Sequence, residues 1–200
     1  MTNQPYQPPF TVTPKALGLV TEIGEILGRL GIAAGTVLPP RLRRQNRIRT
    51  IHASLAIEGN TLGLDQVTAI LEGKRVRGSR REIQEVRNAI DAYDRLPQWS
   101  PFALPDLLTA HGILMAALVD CPGAFRAGGV GIQRGKQVIH IAPPASRVPA
   151  LMHDLLQWLR RTEDHPLIAG CVFHYEFEFI HPFDDGNGRM GRLWQTLILS

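Results

Sequence analysis

A twelve-residue loop near the end of the chain, His181 to Arg192, constrains the fold most, because it joins two segments with helical patterns. The segment before it, residues 167–180, is mostly apolar, and its apolar side chains recur at helical spacing. Pro166 suits the first turn of that helix, where a missing N–H costs no hydrogen bond. The sequence therefore predicts a helix–loop–helix junction in which a buried helix holds the loop.

The residues of this loop are typical of an anion-binding site. Gly186 and Gly188 can adopt backbone angles that let successive N–H groups converge on one anion. The second helix begins at the loop, and a helix N-terminus adds further N–H groups and a positive dipole end. Arg189 and Arg192 are three residues apart, so both can reach the same phosphate group. The pattern indicates a binding site for phosphate.

Two further side chains of the loop can carry chemistry. Asp185 offers a hard carboxylate oxygen of the kind that Mg²⁺ shares with phosphate ligands. His181 is the one side chain of the loop that can accept a proton near neutral pH. A base, a metal ligand and an anion site together indicate a reaction at a nucleotide phosphate.

The loop resembles the signature of the Fic (Fic/DOC) family, His-Pro-Phe-x-Asp/Glu-Gly-Asn-Gly-Arg-x-x-Arg, and meets it at every position. The resemblance implies transfer of AMP from ATP, the co-substrate, to a Ser, Thr or Tyr hydroxyl of a target protein. His181 would take the hydroxyl proton, and Asp185 would bind Mg²⁺. A phosphate-transferring branch carries Lys at position 188, so Gly188 favours AMP transfer. The implied nucleotide-binding residues are Gly186 and Asn187 with Gly188 at the α-phosphate, and Arg189 and Arg192 at the β- and γ-phosphates.

A second motif closes the predicted helix that begins at Pro39 or Pro40 and ends at Ile57. Ser54 and Glu58 lie on one face, and the helix dipole disfavours a carboxylate at this C-terminal end. The motif resembles the inhibitory motif of Fic proteins. That resemblance implies that Glu58 pairs with Arg192 and blocks productive binding of the γ-phosphate.

The strongest strand signal lies between residues 130 and 141, where apolar residues alternate around a glycine-containing turn. Such a hairpin must pack against the helices, because an isolated hairpin is only marginally stable in water. It resembles the flap of Fic proteins, which implies that an extended segment of the target protein binds along it. The predicted flap residues are Val130, Ile132, Val138 and Ile139.

The other patterns predict helices over residues 14–30, 64–71, 80–96, 101–118 and 148–161. In the first of these, Leu17, Val20, Ile23 and Leu27 form the expected buried stripe.

We therefore expect a mainly α fold, a Fic-like helical bundle with one β-hairpin flap over the active site. Its expected parts are an extended or disordered lead (1–13), an N-terminal helical region with the inhibitory motif (14–100) and the Fic catalytic core (101–200). The last predicted helix reaches Ser200 without a cap signal, so a truncated core and a core without further helices both fit.

Composition narrows the classes of protein that fit this chain. Two cysteines make no disulfide framework, and the N-terminus lacks a signal pattern. No apolar run is long enough to cross a membrane, so we expect a cytoplasmic protein. Residues 1–100 hold 14 Lys/Arg against 9 Asp/Glu, so a DNA-binding or nucleotide-sensing regulator that uses the arginines of residues 41–49 stays open. Within the enzyme class, removal of AMP from a modified protein by the same site also stays open. The expected partners are ATP and the target protein; nucleic acid is not expected, and a homo-oligomer is compatible with the sequence.

Overall fold

The computed structural model describes residues 5–34, 39–134 and 137–200. The described chain contains eight α-helices and two β-strands. The helices are α1 (Pro14–Ala34), α2 (Pro40–Ile57), α3 (Leu64–Leu71), α4 (Arg80–Arg95), α5 (Leu104–Leu114), α6 (Val148–Arg161), α7 (Pro166–Ile180) and α8 (Asn187–Ile198). The strands are β1 (Gly131–Arg134) and β2 (Gln137–Ile141).

The prediction of a mainly α fold is confirmed, and several helices have the predicted bounds. α3 and α6 span the predicted residues, whereas α5 is shorter than the predicted 101–118. β1 and β2 pair antiparallel, with a register shift between Ile132 and Gln133. The side chains of the predicted flap residues Ile132, Val138 and Ile139 lie outside the described part of the structure.

The core is built around α7, which packs against both α6 and α8. Phe173 and Phe177 of α7 are fully buried, as are Leu193 and Trp194 of α8. Aromatic side chains of this size bury much apolar surface and dominate the packing energy of a small core. The C-terminus of α7 and the N-terminus of α8 are therefore held side by side, with the signature loop between them.

The prediction of a buried stripe on α1 is wrong. Leu17 is 61% exposed, Leu27 60% and Ile23 39%. Apolar periodicity shows that one face of a helix is apolar, but it does not show which part of the chain covers that face. No helix in the described ranges combines the length and the apolarity needed to cross a membrane.

Residues 5–13 form no regular secondary structure but contact the core. The Tyr6 hydroxyl donates to Glu176 Oε2 on α7 (2.7 Å). The Phe10 ring packs edge-to-face on Trp158 of α6, with the ring centroids 6.1 Å apart. The segment thus adds a polar and an aromatic contact to the outer face of the α6–α7 pair.

Candidate active site

The turn between α7 and α8, the first part of the signature loop, is bounded by two residues in the left-handed backbone region. His181 ends α7 with φ 51° and ψ 61°, and its N–H donates to Phe177 O (2.9 Å). Gly186, with φ 82°, is the N-cap residue directly before α8. Glycine takes this conformation easily, but it is uncommon for histidine. Surrounding contacts must therefore hold His181 in place.

Phe183 anchors the middle of the loop. Its side chain is fully buried and stacks on the His111 ring of α5, with centroids 3.6 Å apart and planes 4° apart. Asn187 closes the loop around it, because its Oδ1 accepts from Phe183 N (2.9 Å) and its Nδ2 donates to Phe183 O (2.8 Å). Both ends of the Asn187 side-chain amide are thus engaged, so its backbone N–H, in the first turn of α8, is its group for binding an anion.

His111 of α5 uses both ring nitrogens, and one of them links α5 to the signature loop. Its Nδ1 accepts from the backbone N–H of Gly123 (2.9 Å), so the proton lies on Nε2, which donates to Asp185 O (3.1 Å). Burial lowers the pKa of His111, because it penalises the charged ring. The histidine is therefore a neutral support of the loop.

We expect His111 to make the protein sensitive to acid. With its pKa lowered in the folded state, the unfolded chain binds the proton more readily, so His111's contribution to stability is complete above its unfolded pKa of about 6.5 and falls as the pH drops below it. Urea unfolding of wild type and His111→Gln at several pH values from 5 to 8 measures this slope. Below pH 6.5, the free energy of unfolding of the variant should fall less steeply with decreasing pH than that of wild type. His153→Gln, on the exposed side of α6, is the matched control, and equal slopes in all three proteins would contradict the assignment.

Arg126 ties the loop to the base of the hairpin, and sequence reasoning missed it. The side chain is only 2% exposed. Its Nε donates to His181 O (2.7 Å), and its Nη2 donates to Ile180 O (3.2 Å) and Pro143 O (2.6 Å). Nη1 donates to Gly128 O (2.7 Å), so one guanidinium joins the end of α7 to the chain on both sides of the hairpin.

Asp185 and Arg189 belong to a charged network that also includes α4. Arg189 is 5% exposed, and its Nη2 donates to Asp185 Oδ1 (3.1 Å) while its Nη1 donates to Glu85 Oε1 (3.3 Å). Arg81 contacts both carboxylates, at 3.4 Å from Glu85 and 3.2 Å from Asp185. In this conformation, Arg189 supports the loop through two carboxylates. Glu85 is a second residue that the sequence did not reveal.

Asp185 is the predicted Mg²⁺ ligand, and in this conformation its two carboxylate oxygens contact Arg189 and Arg81. Its side chain is 44% exposed, and it lines a cleft of about 490 Å³ together with Asp184. No group of three or more His, Cys, Asp or Glu side chains that could hold a metal lies within the described ranges. Mg²⁺ commonly uses one or two carboxylates and completes its shell with phosphate oxygens and water. Asp185 would supply one such carboxylate if a bound nucleotide drew Arg81 or Arg189 away from it.

Ser54 of α2 and Glu58, which directly follows α2, contact Arg192 of α8. Arg192 Nη2 donates to Glu58 Oε1 (2.7 Å) and to Ser54 O (3.0 Å), and its Nε donates to Ser54 Oγ (2.9 Å). The Glu58 carboxylate also lies against Gly188, so closely that any side chain at position 188 would collide with it. A carboxylate thus occupies the N-terminal end of α8, where N–H groups of the first turn have no intrahelical acceptor.

The structure gathers the residues predicted from the two motifs around one end of the α7–α8 pair. Glu178, in the last turn of α7, also lies there, and sequence reasoning did not select it. Burial raises the pKa of the Glu178 carboxyl to about 7, the nearby charge of Arg192 lowers it, and that of Glu58 raises it. The gathered residues are Ser54, Glu58, His181, Asp185, Gly186, Asn187, Gly188, Arg189 and Arg192.

Comparisons with known proteins agree with this geometry. The model of the Fic/DOC family matches residues 101–199. The protein adenylyltransferase Fic of Aedes aegypti is 29% identical over 172 residues, which cover 80% of this chain and 33% of that protein. The chain therefore spans about a third of the length of the curated relatives that it matches.

Solved structures extend the likeness to the N-terminal helices. The crystal structure of a Fic family protein from Desulfovibrio desulfuricans G20 superposes with a TM-score of 0.92 at 65% identity, over 97% of this chain and 60% of that chain. Fic-1 from C. elegans gives a TM-score of 0.70 at 28% identity, over 92% of this chain and 59% of that one. Together with the complete signature loop and the family match, these structures show that the chain belongs to the Fic/DOC family.

Proposed function

We propose that this chain transfers AMP from ATP to a Ser, Thr or Tyr hydroxyl of a target protein. Relatives that match 80% of the chain are named protein adenylyltransferases, which supports the reaction class. The observation that carries the proposal is the carboxylate of Glu58 at the N-terminus of α8, in contact with Arg192. A site that holds one carboxylate against an arginine and against Gly188, in the first turn of a helix, suits the phosphates of a nucleotide.

His181 is the proposed general base. It would take the proton from the target hydroxyl while the hydroxyl oxygen bonds to the α-phosphorus of ATP, and the bond from that phosphorus to the β-phosphate oxygen breaks as pyrophosphate leaves. In such reactions, the protein contributes mainly by positioning groups and neutralising charge. When bound, Mg²⁺ would neutralise phosphate charge, and Asp185 would hold it.

The β1–β2 hairpin is the proposed binding site for the target. An extended segment can add to an exposed strand edge through main-chain hydrogen bonds. The contacts of Arg126 with Pro143 O and His181 O support this role, because they fix the chain after β2 relative to the proposed base. Residues 101–200 would thus form the catalytic core, and residues 14–100 the region that carries the inhibitory motif.

Glu58 would hold the enzyme in a state of low activity. The γ-phosphate of ATP needs the anion position that the Glu58 carboxylate occupies, so nucleotide and glutamate compete for Arg192. Ser54 would strengthen the block, because its hydroxyl and carbonyl oxygens both accept from the same guanidinium. The end of α2 thereby competes with substrate directly, within one chain.

We expect Glu58→Gly to raise AMP transfer by about 10- to 100-fold, because a hydrogen bond to a charged group contributes roughly 1.5–3 kcal/mol. The measurement is the label on protein after incubation with Mg²⁺ and ATP labelled at the α-phosphate. Glu72→Gly is the matched control. Glu72 caps α3 with φ −86° and ψ 8°, close to φ −89° and ψ 9° at Glu58, so both changes have the same backbone effect.

Other outcomes identify the alternatives. Equal labelling in wild type and Glu58→Gly would contradict the inhibitory role. Label from γ-labelled but not α-labelled ATP would indicate phosphate transfer. If Glu58→Gly instead abolishes removal of AMP from a modified protein without supporting transfer, Glu58 orients water for the reverse reaction.

A further inference from the structure

Glu178 is a half-buried carboxylate beside the proposed catalytic base, and the mechanism above does not use it. It lies in the last turn of α7, three residues before His181, and its Oε2 is 4.0 Å from His181 Nδ1. The two side chains are 29% and 23% exposed. At this distance the pair interacts through charge whenever both ring nitrogens of His181 carry protons.

The position of Glu178 is fixed by packing against α8. Its Oε1 is buried and has no hydrogen-bond partner among the described residues. A Cβ atom built on Gly191 would lie 2.6 Å from this Oε1 and 3.0 Å from His174 Nδ1. The carboxylate and His174 thus occupy the space that a side chain at position 191 would need, which places Glu178 directly against α8.

Each element around Glu178 supplies a charged or titratable group. Among the described residues, these are His174 and His181 on α7, Arg192 on α8 and Glu58 at the end of α2. Arg192 favours the ionised carboxylate, whereas burial and Glu58 oppose it. A positive charge that forms on His181 would be the second cation near Glu178, and it would favour the ionised form further.

We propose that Glu178 is a positioning residue for His181, whose carboxylate stabilises the imidazolium that forms during AMP transfer. The ring nitrogen that faces Glu178 is Nδ1, so Nε2 takes the proton from the target hydroxyl. The carboxylate then faces a ring with protons on both nitrogens, as in other base–carboxylate pairs of enzymes. This inference rests on the proposed function for its catalytic meaning, but the interaction between Glu178 and His181 can be measured without activity.

The first test is an NMR titration of the His181 ring in the full chain, assigned by comparison with His181→Asn. In Glu178→Gln, the midpoint should move to lower pH by roughly one unit, because an opposite charge within about 4–6 Å shifts a titration by roughly 1–3 units. Glu176→Gln is the matched control. It removes a carboxylate from the same helix, but Glu176 bonds to Tyr6 on the outer face, and the His181 midpoint should stay in place. Identical midpoints in Glu178→Gln and the parent would overturn the proposal.

The second test measures kcat against pH in the Glu58→Gly background. Glu178→Gln should lower the plateau value of kcat by roughly 10- to 100-fold, which is part of the ~10²–10⁴-fold that a general base contributes. It should also move the acid limb of the pH profile to lower pH. KM for ATP should stay unchanged, and Glu178→Asp should restore part of the rate. A lower plateau with an unmoved acid limb would mean that Glu178 only supports packing. Absence of transfer in the Glu58→Gly parent would refute the proposed function, while the NMR titration would still decide whether Glu178 acts on His181.

Discussion

His181→Ala, made in the Glu58→Gly background, should reduce AMP transfer by roughly 10²–10⁴-fold, the usual contribution of a general base. ATP binding should remain largely intact, because the anion site is formed by the N-terminus of α8 and by Arg192. Transfer is measured with α-labelled ATP, and binding is measured by calorimetry on the same preparations. The ratio of the two effects distinguishes a chemical role from a structural one.

The backbone at His181 makes the choice of variant important. With φ 51°, alanine would be strained there, since left-handed conformations cost roughly 1–2 kcal/mol for most residues. Asparagine tolerates this region better, so His181→Asn removes the base with less effect on the loop. Both variants should lose transfer equally, whereas only His181→Ala should unfold at a lower temperature. Loss of ATP binding in both variants to the same extent as loss of transfer would show that His181 is structural.

The regular elements were the most predictable part of the fold. α3 and α6 have the predicted bounds because apolar periodicity and a proline or glycine at their starts agree. The exposed apolar face of α1 could not be foreseen, because periodicity describes a helix and not its neighbours. For the same reason, no feature of the sequence indicated the contact between Tyr6 and Glu176, which are 170 residues apart.

The site was predictable where one short motif contains it, and less so where distant residues meet. The signature indicated an arginine clamp, but the structure shows Arg189 buried between Glu85 and Asp185, with Arg192 left for Glu58. Glu85 is 104 residues away from Arg189, so no spacing could reveal the pair. Arg126 was missed because its partners are backbone carbonyls, which every residue carries. The only sequence signal for Arg126 is its position as a basic residue in a glycine-rich stretch with no acidic residue close by in the sequence.

Arg126→Met should destabilise the protein by roughly 3–5 kcal/mol. It removes the donors of four carbonyl groups, and a buried unpaired group costs about 1–3 kcal/mol, although water can replace some of the lost partners. Two of these carbonyls belong to Ile180 and His181, so the strained backbone at the proposed base would lose its support. Urea unfolding gives the change in stability. We also expect a higher KM for the target protein, because the chain after β2 would no longer be fixed to the end of α7.

The conservative and control variants make this prediction specific. Arg126→Lys keeps the positive charge, but an ammonium group cannot reach carbonyls on both sides of the hairpin, so it should recover only part of the stability. Arg160→Met, on the exposed side of α6, should change the free energy of unfolding by less than about 0.5 kcal/mol. If Arg126→Lys equals wild type in stability and in KM for the target, the positive charge of Arg126 is sufficient and the planar geometry of its guanidinium group is not required. If Arg126→Met is as stable as Arg160→Met, the link between hairpin and catalytic loop lies elsewhere.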